Sequence, residues 1–237
     1  MIGVIGGSGL ASPTLLSELR DTFTVTPYGA PSGPVVLARH EGVRVAFVAR
    51  HGPAHRVPPH RVNHRANLWA LKEAGADRIL ATSSVGSLKV PIRPGTFVVP
   101  HDYVAFWDIP TFFDEEVRHV TPTMDEGLRK VLLEAARTAK ARAAAKGVYV
   151  QATGARLETK AEIAFFKTLG DVVGMTVASE ATLAAELGIP YAALCSVDNY
   201  CHGLTPKPLT FPEIRTMQKR TSSASEAVLA AALEALR

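Results

Sequence analysis

Residues 43–89 read VRVAFVARHGPAHRVPPHRVNHRANLWALKEAGADRILATSSVGSLK. The run 43–48 is short, apolar and rich in valine, which favours a strand over a helix. A basic loop follows. Residues 63–73 then carry a helical pattern, and Gly75 stands where a helix C-terminus is expected. The next apolar run, 78–83, is again strand-like and opens into the small residues Thr82, Ser83, Ser84, Val85, Gly86 and Ser87. Strand, helix and strand in this order predict a parallel pair joined by a helical crossover.

The same alternation extends outward in both directions. Further strands are expected at 2–5, 35–38, 96–99, 148–152, 172–173 and 192–197, and further helices at 125–146, 160–168, 179–186 and 212–236. The fold class is therefore α/β: one domain over 1–237, with a mixed, largely parallel twisted sheet flanked by helices. In such sheets ligands bind at the carboxyl ends of the strands, so the residues just after each strand carry the functional information.

Composition narrows the function classes. The 237 residues are 47% hydrophobic and 20% charged, which excludes a disordered chain. The two cysteines, Cys195 and Cys201, exclude a disulfide scaffold and point to a reducing, cytoplasmic setting. No apolar run reaches the ~18 to 20 residues of a membrane span, and the glycine-broken start MIGVIGGSGL does not read as a signal peptide. The net charge of +4 admits nucleic acid or a phosphate-bearing small molecule as partner.

Four stretches at strand ends hold candidate chemistry. Gly6, Gly7 and Gly9 surround Ser8 after the first strand. The spacing departs from a dinucleotide fingerprint and no Gly-Lys-Ser/Thr follows, leaving a small anion site at Ser8 or a plain tight turn. Residues 50–65 alternate His51, His55, His60 and His64 with Arg50, Arg56, Arg61 and Arg65. His60 and His64 have a zinc-compatible spacing, but four arginines repel a dication and attract phosphate. A solvated basic loop is the bland alternative. Met175 and Thr176 follow another apolar strand, with Met175 readable as core filler. Asp198 and Asn199 follow the last buried strand, where a turn-forming pair is the alternative.

Taken together, GVIGGSGL, the stretch from ARHG to SLK, PGTFVVPHDY, ATGARLETKAE, GMT and SVDNY resemble the trimeric purine nucleoside phosphorylase and methylthioadenosine phosphorylase family, in its order and spacing. The resemblance implies a homotrimer that splits a purine nucleoside with inorganic phosphate as co-substrate, needs no metal or organic cofactor, and acts on neither nucleic acid nor membrane. By position, Ser8, Arg50, His51, Ser84 and Thr176 match the phosphate-binding residues, with Ser83 adjacent. Met175 matches the residue against the ribose. Glu158 and Asn199 match the purine-reading, catalytic pair of the 6-oxopurine branch, and a one-residue slip would put Asp198 there instead. Phe211 and Ile214 fall near the 5′ side of the sugar, and His119 resembles a residue lent by a neighbouring subunit.

The pairing agrees with the chemistry. A 6-oxopurine offers N1–H to a carboxylate such as Glu158, and an asparagine amide donates to O6 and N7. An apolar 5′ side adds a methylthio group, so S-methyl-5′-thioinosine is the expected substrate, with 5′-methylthioadenosine as the alternative. Departures from the family pattern are Ala155 for proline, Leu157 for phenylalanine and Ser179 for proline. From other classes, an NAD-dependent oxidoreductase would rest on the first glycines and a nucleic-acid binder on 50–65. The basic segment lacks the interleaved aromatics that stack bases.

Overall fold

The computed structural model describes all residues except 11–13, 23–24, 108 and 207. Its strands are β1 Ile2–Gly6, β2 Ser17–Thr22, β3 Val35–His40, β4 Val43–Ala49, β5 Arg78–Ser87, β6 Phe97–Val98, β7 Asp102–Ala105, β8 Ala143–Ala144, β9 Val148–Gln151, β10 Val172–Gly174 and β11 Tyr191–Tyr200. Its helices are α1 His64–Glu73, α2 Glu126–Thr138, α3 Lys160–Leu169, α4 Val177–Glu186 and α5 Phe211–Ala235. The main path of the sheet runs β2-β3-β4-β1-β5-β10-β9-β7, with β11 against β5 and β6, and β8 against β6. The pairs β1–β4, β1–β5, β5–β11 and β9–β10 are parallel, while β5–β10 and the β2–β3–β4 edge are antiparallel. The α/β class and the mixed, largely parallel sheet are as the sequence indicates.

The central strands read as continuous apolar runs because helices cover both faces. Ile5, Val48 and Ile79 pack with Leu68, Leu71 and Leu183 on the side of α1 and α4. Their neighbours Val4, Phe47 and Leu80 pack with Leu128, Leu132, Val228 and Leu229 on the side of α2 and α5. Strand β5 lies between β1 and β11, and its far end also meets β10. The carboxyl ends of β1, β5 and β11 thus open on one side of the sheet.

Three differences from the sequence expectation have physical causes. Helix α2 stops at Thr138 rather than 146. Lys140 has φ 54°, and Phe97 N and Val99 N take the Arg142 and Ala144 carbonyls at 2.8 and 3.1 Å. Buried Arg129 reaches from α2 to the carbonyls of Pro100 and Ala145. Sheet pairing therefore overrides the helix propensity of an alanine-rich stretch. Strand β2, SELRDT, is exposed and charged, the composition of a protected edge, and lacks an apolar signature. Strand β7 is short and only partly buried.

Candidate active site

A small polar cleft lies at the carboxyl ends of β1, β5 and β11. Ser8, Ser83, Ser84 and Ser196 line it from the sheet, and Gln218, Thr221 and Ser222 line it from α5. The glycines before Ser8 are required by packing. A β-carbon at Gly6 would overlap the Leu10 carbonyl and lie 2.7 Å from the Phe47 ring, and one at Gly7 would overlap the Thr82 carbonyl and lie 2.5 Å from Arg50 Nη1. The loop is a tight turn, held by Gly7 N donating to Thr82 Oγ1 at 3.0 Å, and it also brings Ser8 into the cleft.

Arg50 directly follows β4 and is 1% exposed. Its Nε and Nη2 donate to the two Glu180 carboxylate oxygens at 2.5 and 2.9 Å, and Nη1 donates to Thr82 O at 2.7 Å. Two of the five guanidinium N–H groups stay uncommitted. Tyr191 donates its hydroxyl to Glu180 at 2.7 Å. Burial works against the Glu180 charge, but Arg50 outweighs it and holds the carboxyl below its ordinary range. Glu180 thus holds Arg50 as a buried, oriented guanidinium close to the Ser8 loop. His64, at the start of α1, has Nδ1 3.7 Å from Glu180 without a hydrogen bond, and burial with the Arg50 charge lowers it to about 4.

His51 is buried, and its Nδ1 donates to Val57 O at 2.8 Å. Burial and the adjacent Arg50 lower it to about 4, so at neutral pH it is an uncharged imidazole with Nε2 as acceptor. Thr176 is the N-cap of α4, yet its hydroxyl caps nothing in that helix. The helix amides are satisfied from β9: Tyr149 Oη accepts from Thr176 N and Val177 N at 3.1 and 3.4 Å, and Gln151 Oε1 accepts from Ala178 N and Ser179 N at 2.8 and 3.2 Å. Gln151 Nε2 in turn donates to Ser179 Oγ at 2.7 Å, which gives the serine at the proline position a partner. Met175 is half-buried, and a β-carbon at Gly154 would lie 2.7 Å from its Sδ.

A bulge separates two acidic and amide roles on β11. The register against β5 shifts between Val197 and Asn199, so Asp198 is the extra residue. Asp198 is 3% exposed and accepts from Ser84 Oγ, Ser196 Oγ and Thr221 Oγ1. Burial pushes its carboxyl up to about 6. Asn199 instead lies over Gly86, where a β-carbon would come 3.1 Å from its Nδ2 and 2.6 Å from Cys201 Sγ. Burial, with the Glu158 charge adding to it, pushes the Cys201 thiol up. Burial raises the Glu158 carboxyl above its usual range.

The 5′ candidates are more mixed. Ile214 is buried and Phe211 is 61% exposed, with the Arg215 guanidinium 5.4 Å from its ring centroid. Burial and the Arg215 charge lower His55. His119 is exposed and lines no part of the cleft. His60 sits in a short 3-10 turn while His64 begins α1, so the pair does not share one helix. Leu157 is exposed, and the Arg156 side chain turns to Glu162.

Sequence reasoning missed Glu180, Tyr149, Gln151, Gln218 and Thr221. Glu180, set in the first turn of the largely apolar helix VASEATLAAE, was a readable signal for a buried charge pair. Nothing in the local sequence marked the other four, because their roles come from tertiary contact.

The comparisons with known proteins give the family. Residues 1–234 match the family model described as the phosphorylase superfamily. The chain is 42% identical over 227 residues to a probable 6-oxopurine nucleoside phosphorylase of Archaeoglobus fulgidus, covering 95% of this chain and 92% of that protein. It is 46% identical over 218 residues to a probable S-methyl-5′-thioinosine phosphorylase of Methanothermobacter thermautotrophicus, covering 90% and 76%. A solved methylthioadenosine phosphorylase of Schistosoma mansoni in complex with adenine superposes with a TM-score of 0.91 at 28% identity, covering 99% of this chain and 91% of that one. With the family model spanning nearly its whole length, the chain belongs to the phosphorylase superfamily.

Proposed function

We propose that this enzyme cleaves a 6-oxopurine nucleoside with phosphate, S-methyl-5′-thioinosine before others, releasing the free purine and 5-methylthioribose 1-phosphate. The observation that carries the reading is the separation on β11: Asp198 belongs to the hydroxyl cleft, while Asn199 stands apart from it, over Gly86. The names of the Archaeoglobus and Methanothermobacter relatives support the same base. The alternative, methylthioadenosine, is supported by the adenine-bound Schistosoma structure.

In this mechanism Ser8, Ser83, Ser84, Thr176, His51 and the two uncommitted N–H groups of Arg50 hold phosphate. Phosphate attacks the anomeric carbon opposite the purine, with inversion. Holding it in line removes association entropy, and its charge stabilises an oxocarbenium-like sugar. Asn199, one of whose amide hydrogens goes to Tyr200 O, donates the other toward O6 and N7 as the purine leaves with the bonding electrons, and Glu158 accepts from N1–H. Met175 lies against the ribose, with Phe211 and Ile214 toward the methylthio group. No metal or organic cofactor takes part. The active assembly is a homotrimer in which His119 reaches a neighbour's site. The two free, buried cysteines suit a cytoplasmic setting.

A substrate panel with and without phosphate tests the reading. Purine release requires phosphate, and equal release without it would make the enzyme a hydrolase. Methylthioinosine is preferred to methylthioadenosine by up to ~10²-fold, about 2.7 kcal/mol, because adenine leaves buried polar groups mismatched. Preference for methylthioadenosine would favour the alternative. Light scattering showing an active monomer would remove the shared site.

A further inference from the structure

The hydrogen-bond count around Ser84 is tight. A serine hydroxyl has one proton to give and accepts two bonds. Ser84 gives its proton to Asp198 Oδ2 and accepts from Gln218 Nε2 at 3.0 Å. In this arrangement Ser84 has nothing to donate to an anion in the cleft it lines. One added proton changes that. A protonated Asp198 donates to Ser84 Oγ, Gln218 fills the second acceptor site, and the serine proton is released toward the cleft.

We propose that Asp198 is a positioning residue that must take up a proton from solvent before Ser84 can donate to bound phosphate. The inference rests on the reading that phosphate occupies this cleft. The surroundings favour uptake. Strand β5 presents Ser84 to the carboxylate, β11 presents Ser196, and α5 presents Thr221, with Gln218 on Ser84. Among the described residues no Lys, Arg or His makes an ion pair or hydrogen bond with Asp198, in contrast to Glu180 with its arginine. An arriving phosphate adds like charge, which further disfavours the carboxylate. The further titratable groups of the site are His51, His64, Glu158 and Glu180, and none of them makes a hydrogen bond or ion pair with Asp198.

Calorimetric titration of the wild-type protein with inorganic phosphate at pH 7.5, in buffers of different ionisation enthalpy, counts the protons taken up. The wild type takes up about one proton more than Asp198→Asn, because uptake at His51 or on phosphate itself is common to both. Relative to that variant, the wild-type phosphate Kd rises up to ~10-fold per pH unit on the alkaline side. Thr221→Val deletes one donor to the carboxylate and moves the onset of this rise to higher pH. Equal proton counts in wild type and Asp198→Asn overturn the proposal, as does an unmoved onset in Thr221→Val. Failure of the wild type to bind phosphate overturns the phosphate site itself, a different result from binding without the linkage.

Discussion

Replacing Glu180 by glutamine separates what the buried pair does for stability from what it does for function. Arg50 and Glu180 are each 1% exposed and joined by two hydrogen bonds. The amide keeps the shape and leaves the guanidinium buried without its counter-charge. Breaking such a pair costs about 3–5 kcal/mol. A chain of this size loses about 2–4 °C of melting temperature per kcal/mol, so the midpoint falls by roughly 6–20 °C. The double variant Arg50→Met/Glu180→Leu removes both charges and keeps apolar volume. It melts well above Glu180→Gln, since a buried pair is close to break-even against hydrophobic residues. It still loses phosphate affinity by roughly 10- to 150-fold, the equivalent of a charge-assisted contact of about 1.5–3 kcal/mol. The assay is thermal unfolding at fixed protein concentration without phosphate, paired with phosphate KM. A Glu180→Gln midpoint within about 2 °C of wild type, or a double variant less stable than the single one, would falsify the account of Arg50 as a cation held by Glu180.

Three other perturbations address neighbouring contacts. Gly7→Ala drives a methyl into the Thr82 carbonyl and Arg50 Nη1, so the Ser8 loop shifts and phosphate KM rises more than nucleoside KM; equal changes in both would remove the loop from the phosphate site. Tyr149→Phe strips the partner from Thr176 N and Val177 N. It costs about 1–3 kcal/mol for each amide left unpaired, and an unchanged urea midpoint would show that the hydroxyl is not their acceptor. His64 is held at about 4, below its unfolded value of about 6.5, so the unfolded chain binds the extra proton between those limits. Stability is therefore full above pH 6.5 and declines toward pH 4, by about 1.4 kcal/mol per pH unit. His64→Gln flattens that slope, and an unaltered acid profile would mean that His64 protonates freely in the folded state.

The sheet was largely legible because its central strands are buried on both faces and therefore announce themselves as apolar runs. Helix α1 was legible from its pattern and the glycine after it. Edge strand β2 was illegible for the opposite reason, since an exposed strand carries charges where a core strand carries valine. The end of α2 was set by Arg129 and by the pairing of β6 with β8, neither of which is local. At the site, residues directly after strands could be named one by one. The partners of those residues could not. Glu180 lies 130 residues from Arg50, and Thr221 lies 23 from Asp198. Which of Asp198 and Asn199 leaves the ladder was set by the bulge, which no local signal announced.

Helix α5 is anchored unevenly along its 25 residues. In its first ten, only Ile214 is buried, whereas the rest sink Thr221, Ser225, Val228, Leu229, Ala232 and Leu233. The helix is thus a cantilever, fixed in the core at one end and overhanging the cleft at the other. Helix ends unwind progressively, and local opening energy follows buried contact. Admission to the cleft can therefore come from fraying of the overhang while the fixed portion stays wound. The reach of that fraying is bounded at Thr221, where the buried stretch begins, so Gln218 moves with the free end and Thr221 stays with the anchor.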